Sequence, residues 1–169
     1  MKTRSIFFAL AVLVLSLTVT AQDRKPSTAK SQVVIRSKQA ISDIQKVLEK
    51  KPGNTNQDIV AAAGMQTRVA VFHDEKREGD LNEVHDGSDD IYYVLDGTAT
   101  LVLGGSLVDA KEIAPGEWRA KTATGGQAFT IKKGDLVFVP RGTPHQRTVT
   151  GKGFSMILVK IFSDTQPSK

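Results

Sequence analysis

The chain has 169 residues, no cysteine and a formal net charge of +5 at pH 7. The absence of cysteine excludes disulfide bonds and thiolate chemistry, so stability must come from a packed hydrophobic core. Lysine and arginine are scattered along the chain and form no basic patch interleaved with aromatic residues, so we expect no nucleic-acid partner. The length suits a single domain.

The first 21 residues have the three-part pattern of a secretory signal peptide. Basic residues precede an apolar run over residues 6–19, and residues 19–21 supply small side chains at a cleavage position. The apolar run is shorter than the roughly 20 residues that a helix needs to cross a bilayer. We therefore expect cleavage near Gln22, export to the periplasm or secretion, and no stable membrane anchor afterwards.

An N-terminal arm is predicted next. Residues 22–36 are polar and contain Pro26, which is typical of a flexible lead-in. Apolar residues then recur at helical spacing over residues 37–50, and Lys-Lys-Pro-Gly follows, which predicts a helix that ends there. Residues 57–64 form either a second short helix or a covering loop. We expect this helical arm, residues 37–66, to pack against a sheet.

From residue 67 to residue 163 the sequence has the pattern of a β domain. Short apolar stretches alternate with turns rich in glycine, proline and aspartate, and the rhythm of βαβ units is absent. Asp96-Gly97, between two of the stretches, is a typical hairpin signal. We predict an all-β sandwich, jelly roll or barrel, followed by a C-terminal tail over residues 164–169. The candidate strands are 68–73, 90–95, 98–103, 127–132, 135–139, 146–150 and 154–162.

A long connection, residues 104–126, separates two of these strands and contains Trp118, the only tryptophan. Loops of this length inside compact domains are often functional. One interpretation is a lid that closes over a binding site. The other, which we favour, is an excursion that buries Trp118 against a partner subunit or against the N-terminal helix.

Two of the three histidines lie near carboxylates in a pattern that is typical of a metal site. Alternate residues of a strand share a face, so Glu83 and His85 point the same way. Asp90 begins another candidate strand, and His145 follows a Pro-Arg-Gly-Thr-Pro turn. Imidazole and carboxylate groups together suit Fe, Mn, Ni or Zn. We predict one divalent metal ion with four ligands: Glu83, His85, Asp90 and His145.

Two further residues are candidate contacts for a small-molecule ligand. Tyr92 shares its strand face with a predicted metal ligand, so its hydroxyl could orient a substrate or donate a proton, or its ring could pack in the core. Arg147 could hold a substrate carboxylate by a forked hydrogen bond, or be exposed. We expect His73, which begins a charged run, and Arg141, which lies in a turn, to face solvent.

These residues carry a resemblance to the cupin superfamily. The second cupin motif, Gly-x5-Pro-x-Gly-x2-His, is matched at Gly134, Pro140, Gly142 and His145. The spacing of the first motif is kept at His85, Asp90 and Gly97. The resemblance covers about residues 68–162. It implies a double-stranded β-helix, which is a small jelly-roll barrel, with a metal site inside it.

The sequence departs from the family pattern at the ligands themselves. Glu83 stands where the family has its first metal histidine, and Asp90 stands where it has a glutamate. Arg77 and Val149 replace a glycine and an asparagine of the motifs. The resemblance thus implies two histidines and two carboxylates, a set that favours harder ions such as Mn or Fe. Asp90, one methylene shorter than glutamate, could instead hold a histidine by a hydrogen bond.

The resemblance leaves the activity open. Cupins include dioxygenases, decarboxylases, isomerases and plain binding proteins, so the fold does not select among them. We expect a metal-dependent cupin that binds a small molecule, with a metal-free binding or sensing cupin as the alternative. The family often forms homodimers, and an apolar strip over residues 33–35 could add a strand to a neighbouring copy.

Overall fold

The computed structural model describes most of the chain, namely residues 25–29, 31–61 and 65–163. The predicted signal peptide, residues 1–21, and the predicted C-terminal tail, residues 164–169, lie outside the described residues. From Val33 onward the chain forms a unit of its own. Within the described ranges, no helix is long and apolar enough to cross a bilayer.

The predicted N-terminal helix is confirmed as α1, which spans Lys38–Leu48. Ser37 caps it, because its side-chain oxygen accepts a hydrogen bond from the backbone N–H of Ala40 at 3.1 Å. The helix is amphipathic, and Leu48 in its last turn is completely buried. The helix is therefore held to the protein by one apolar face.

Residues 54–60 are extended, so the prediction of a second helix or covering loop over residues 57–64 is wrong for residues 57–60. They belong to strand β1 (Asn54–Val60), which pairs antiparallel with β2 (Thr67–Asp74). Residues 62–64 lie outside the described residues. Strand β2 would otherwise expose a row of unpaired backbone groups, and pairing them outweighs a weak local preference for helix. Helix α1 packs against both strands.

Ten further strands follow in the described part of the chain. They pair only antiparallel, and most of the candidate strands are recovered among them. Their bounds are β3 (Asn82–His85), β4 (Ser88–Leu103), β5 (Ser106–Val108), β6 (Lys111–Ala114), β7 (Glu117–Ala120), β8 (Thr122–Thr124), β9 (Gln127–Lys132), β10 (Leu136–Val139), β11 (His145–Thr148) and β12 (Phe154–Phe162).

The strands form two walls that share β4. The strand order is β1-β2-β12-β4-β11-β3-β7-β6, with β9 and β10 also paired to β4 and with β5-β8 as a separate ribbon. The first half of β4 pairs with β12 and β10, which together with β1 and β2 we call the first wall. Its second half pairs with β11 and β9, which together with β3, β7 and β6 form the second wall. The predicted all-β jelly roll with one short helix is confirmed.

Strand β4 continues through Asp96-Gly97 without a turn, so the predicted hairpin at this dipeptide is wrong. Gly97 has φ +82° and lies opposite Phe154, and the register between β4 and β12 shifts one pair further on, between Ser155 and Met156. The dipeptide therefore bends the strand instead of reversing it, because both of its halves find partners on other strands. A side chain at Gly97 would collide with the carbonyl oxygen of Gly153 and come within 2.9 Å of Phe154 Cα.

The connection over residues 104–126 is not a loop but contains the four short strands β5 to β8. Trp118 lies half-buried in β7, opposite Val84 of β3, and its Nε1–H donates a hydrogen bond to the Asp86 carboxylate at 2.6 Å. Helix α1 packs on β1 and β2 instead. Burial of Trp118 against a partner subunit stays a prediction.

The core lies between the two walls. Inward side chains of the first half of β4 and of β12 meet those of the second half of β4, and the cluster is closed by β9, β10 and the residue after β11. Its buried members include Tyr92, Val94, Leu101, Ile131, Val139, Val149, Phe154, Met156 and Leu158.

The bend at Gly97 can be tested by Gly97→Ala. We expect its free energy of unfolding to fall by more than about 3 kcal/mol, since the positive φ alone costs about 1–3 kcal/mol and the collision with Gly153 adds to it. Gly134→Ala is the matched control, because Gly134 has φ +89° but a Cβ there meets nothing within 4 Å. Urea unfolding of both variants measures the difference, and equal losses would contradict a role for the close approach.

Candidate metal centre

Three of the four predicted ligands converge where β3 and β11 meet. Glu83 and His145 are register partners on these strands, and His85 lies two residues further along β3. One ligand atom from each of the three lies within 4.8 Å of the others. Both histidines are buried, and their ring centroids are 5.0 Å apart. The alternation of a strand and the pairing of two strands are enough to bring the three together.

Each imidazole is held through its Nδ1 atom. His85 Nδ1 lies 2.6 Å from Glu117 Oε2, and His145 Nδ1 lies 3.0 Å from the carbonyl oxygen of Thr143. A carboxylate and a carbonyl only accept hydrogen bonds, so Nδ1 carries the proton in both rings. Nε2 is then the free ligand atom of each ring. This is the arrangement by which proteins orient histidines towards a metal ion.

The protonation state of His145 favours metal binding. Burial lowers the pKa of its imidazole below the usual 6.5, and the neighbouring His85 acts in the same direction. The Thr143 carbonyl and the carboxylates of Glu83 and Asp90 raise it, but burial is the largest effect. A neutral imidazole keeps the lone pair that a metal needs.

The Glu83 carboxylate is fixed by two arginines. Arg119 NH2 lies 2.8 Å from Glu83 Oε2, and Arg77 NH2 lies 3.4 Å from Oε1. Glu83 Oε2 is also 3.8 Å from His85 Nε2. The oxygen that faces the histidines is thus held in place by a guanidinium, and a metal ion would share the carboxylate with it.

Asp90, the fourth predicted ligand, lies beside the cluster. Its Oδ2 is 3.7 Å from His85 Nε2, and its Oδ1 is 2.8 Å from the ammonium nitrogen of Lys160. Tyr92 donates its O–H to Asp90 Oδ2 at 3.3 Å. Burial raises the pKa of the Tyr92 phenol well above its usual 10, and the Asp90 charge adds to this, so the hydroxyl stays protonated. Asp90 is buried, and ligation by it stays a prediction.

Arg147 is buried, so the alternative of an exposed side chain is wrong. Its Nε and NH2 atoms both lie 2.8 Å from Asp74 Oδ2, and its guanidinium carbon lies 5.8 Å from the Tyr92 ring centroid and 5.7 Å from that of Phe154. Asp74 is itself almost completely buried. One edge of the Arg147 fork is therefore already taken by an internal partner, although the residue lines the cavity.

The cluster opens into a cavity of about 290 Å³ between the two walls. The second wall contributes the cluster, and the first wall contributes Phe72, Met156 and Leu158 as an apolar surface. Five cationic side chains line the cavity against three carboxylates. Three of these cations also pair with carboxylates just behind the lining, Arg68 with Asp58, Arg77 with Asp80 and Arg147 with Asp74, so the charges around the cavity are largely compensated.

His73 is buried, and the prediction that it faces solvent is wrong. Its Nδ1 lies 2.9 Å from the hydroxyl oxygen of Ser155, its register partner on β12. Although it begins a charged run, the neighbouring strand covers it. His73 is not among the residues that line the barrel cavity.

Arg141 is exposed as predicted, but it also forms a fork with Asp89. Its Nε and NH2 atoms lie 3.0 and 2.7 Å from the two carboxylate oxygens, and its backbone N–H donates to Oδ1 at 2.8 Å. These bonds hold the pKa of Asp89 at about 2, below its usual 3.8. The fork ties the turn before His145 to the start of β4.

Several supporting residues were not found from the sequence. The motifs do not include the strands that carry Glu117, Arg119 and Lys160. Asp74 directly follows His73, whose charged run predicts an exposed strand end. The alternation of β12 could have indicated that Lys160 faces inward with Leu158. The partners of each residue depend on strand order, which the sequence alone does not give.

The fork can be tested by Arg141→Met. We expect the pKa of Asp89 to rise from about 2 towards 3.8, because its largest stabilising partner is lost. A carboxyl with a lowered folded-state pKa stabilises the fold above its unfolded-state pKa and loses that contribution as pH falls through the folded value. The stability difference between wild type and variant should therefore shrink between about pH 4 and pH 2.

Carboxyl NMR titration measures the pKa, and urea unfolding across this pH range measures the stability. Lys133→Met removes the same charge from the exposed pair with Asp96, and we expect it to leave Asp89 unchanged. An unshifted Asp89 in Arg141→Met would contradict the assignment.

No family model and no curated protein matches the chain. Among solved structures it is similar to the DMSP lyase DddQ from Ruegeria pomeroyi DSS-3 (16% identity, TM-score 0.47, 69% of this chain and 50% of that one). It is also similar to a Klebsiella pneumoniae protein with a double-stranded beta-helix domain (16% identity, TM-score 0.48, 68% of this chain and 82% of that one). A third similar structure is the Schizosaccharomyces pombe Cnp3 cupin domain (12% identity, TM-score 0.47, 65% of each chain).

The chain spans half the length of DddQ. Likeness at these identities concerns the fold alone. The assignment of the fold rests on the chain itself, since the two spaced motifs fall on β3, β4 and the turn before β11, and these strands build one antiparallel barrel. The chain thus has the fold of a double-stranded β-helix with a short N-terminal helix, and the spacing of its two motifs resembles that of the cupin superfamily.

Proposed function

We propose that the protein binds one divalent metal ion through Glu83, His85 and His145 and holds a small molecule in the adjoining cavity. The observation that carries the proposal is the orientation of the two imidazoles. Both are tethered at Nδ1, and their Nε2 atoms have no hydrogen-bond partner among the described residues. Two buried rings held in this way, beside a carboxylate, form a set of ligands that Fe, Mn, Zn or Ni accepts.

The surrounding residues prepare the site for a bound molecule. Arg77 and Arg119 hold the Glu83 carboxylate in one orientation. Tyr92 keeps its proton and donates it to Asp90 Oδ2 beside the cavity. When bound, the metal would polarise an oxygen of the small molecule. Asp90 is close enough to complete the coordination or to orient His85.

Three enzyme chemistries fit this proposal: metal-dependent oxygenase, decarboxylase and isomerase reactions. The identity of the metal selects among them, because Fe or Mn supports oxygen chemistry, while Zn or Ni acts chiefly as a Lewis acid. The alternative function is a binding or sensing cupin that holds its ligand without a metal. The same cavity serves both, so metal content separates them.

Metal content is therefore the decisive measurement. We expect elemental analysis of protein purified without chelator or histidine tag to give about one equivalent of Fe, Mn, Zn or Ni, as a mononuclear site requires. His85→Ala and His145→Ala should lose it, because each removes a ligand that no other described residue replaces. Isothermal titration with each ion should likewise show that both variants have lost metal binding.

His73→Ala is the matched control, since it removes the third histidine, which lies outside the cluster and is bonded to Ser155. We expect full metal content in this variant. Absence of metal even after reconstitution with each ion would contradict the metal proposal and leave the metal-free binding function, which a thermal-shift ligand screen then tests.

Export and self-association are separate proposals. The apolar run over residues 6–19, between basic residues and a small-residue cleavage position, supports export. Mass spectrometry of protein from the native host should show a mature chain that begins near Gln22, and an intact N-terminus would contradict it.

The exposed side chains of Val33 and Ile35 support a homodimer in which the strip over residues 33–35 docks on a second copy. Sedimentation of Ile35→Asp against wild type tests this, and equal masses would contradict it.

A further inference from the structure

Side chains of three neighbouring strands form a row across the first wall and face the cavity. Lys160 of β12 is the register partner of both Asp90 on β4 and Arg68 on β2. All three line the cavity. Register partners in an antiparallel sheet have Cβ atoms about 5 Å apart. Two cations thus stand side by side at one level of the barrel, and each has one carboxylate partner, Asp90 for Lys160 and Asp58 for Arg68.

Lys160 has one hydrogen-bond donor to spare. Its ammonium nitrogen lies 2.8 Å from Asp90 Oδ1 and 3.0 Å from the hydroxyl oxygen of Ser88. An ammonium has three donors, so one is left for the cavity. The side chain is only 12% exposed. A second anion at this position would meet a donor that has already been removed from bulk water, and such charge-assisted bonds are the strong ones.

Arg68 also keeps part of its guanidinium free. Its Nε donates to Asp58 Oδ1 at 2.8 Å, and its NH2 donates to Asn56 Oδ1 at 3.2 Å, while NH1 has no hydrogen-bond partner among the described residues. The guanidinium carbon lies 5.6 Å from the centre of the Phe72 ring. The ring and the two β1 side chains fix the guanidinium at the rim of the cavity.

The other cations of the cavity are more fully occupied. Arg147 is bonded to the buried Asp74, and Arg119 to Glu83 and to the carbonyl of Trp118. Arg77 contacts three carboxylates. Lys160 and Arg68 on the first wall are therefore better placed than Arg147 to contact a substrate carboxylate, the role predicted for Arg147.

The remaining surface defines the rest of the ligand. Leu158 and Met156 follow Lys160 along the inward face of β12, and Phe72 lies opposite Met156. The cavity, at about 290 Å³, has room for on the order of ten non-hydrogen atoms if each takes the roughly 30 Å³ of a liquid water. The ligand is then small, with an apolar body and a charged end.

We propose that Lys160 and Arg68 bind the carboxylate of a small monocarboxylic acid whose apolar body lies on Phe72, Met156 and Leu158. This inference rests on the proposed function and names its ligand class. Asp90 joins the two regions, because one of its oxygens contacts Lys160 and the other lies 3.7 Å from His85 Nε2. A carboxylate on Lys160 therefore lies next to the metal centre, and the ligand is held within reach of it.

The test compares acids with their neutral isosteres. Benzoate against benzamide, and hexanoate against hexanamide, differ in charge but hardly in shape. Isothermal titration and saturation-transfer NMR on the zinc-reconstituted full chain measure binding. We expect each acid to bind at least about tenfold more tightly than its amide, since hydrogen bonds to charged groups carry about 1.5–3 kcal/mol.

Lys160→Met and Arg68→Met should each reduce acid affinity about tenfold or more and remove the preference over the amide. Lys132→Met, an exposed lysine on β9, removes the same charge away from the cavity and should change nothing. Lys160→Arg should retain most of the preference, which guards against a variant that merely misfolds.

Zinc binding is measured in every variant, so the two proposals fail separately. Full zinc content without any preference for acids over amides overturns the ligand class and leaves the metal proposal intact. A preference that survives in both Lys160→Met and Arg68→Met overturns the assignment of the residues. If the wild type binds no zinc but still prefers acids, and Lys160→Met and Arg68→Met lose that preference, the assignment of the residues is supported. Only the metal proposal is then contradicted.

Discussion

The fold depends on one strand that serves two sheets. Strand β4 pairs with β12 and β10 along its first half and with β11 and β9 along its second. The bend at Gly97 makes the change of partners possible, since no other residue fits so close to Gly153. Asp90 and Tyr92 are thereby carried on the wall that faces His85 and His145.

The cavity brings many ionic groups out of water, and pairing is what makes this tolerable. Burying an unpaired charge costs several kcal/mol, whereas a paired and hydrogen-bonded one costs far less. Each carboxylate of the cavity accordingly has a cationic or imidazole partner: Glu83 has Arg119, Asp90 has Lys160 and Glu117 has His85. The groups that keep spare capacity, His85 Nε2 and His145 Nε2 among them, are those that face the cavity. The atoms that can bind a metal ion or a ligand are thus those whose side chains keep a donor or a lone pair after their internal contacts are made.

Sequence reasoning reached the site but not its supports. The spacing of the motifs and strand alternation were enough for Glu83, His85 and His145, because those relations are local or belong to adjacent strands. The partners Glu117, Asp74 and Lys160 lie outside the motifs, and only the order and packing of the strands bring them to the site. The predicted hairpin at Asp96-Gly97 and the predicted exposure of His73 fail for one reason: a local pattern does not reveal which strand lies alongside.

The departures from the cupin motifs form one connected set in space. A carboxylate at position 83, where the cupin motif has a histidine, is partly buried and is stabilised there by a cationic partner. Arg77, at the motif position of a glycine, supplies one at 3.4 Å. Arg77 is in turn fixed by a two-way backbone bridge to Val149, which stands at the motif position of an asparagine, with N···O distances of 3.0 and 2.8 Å. Restoring a histidine at position 83 alone would leave Arg77 and Arg119 facing it without their shared carboxylate. The three departures therefore make physical sense together, as a candidate metal centre in which a guanidinium-held carboxylate takes the place of an imidazole.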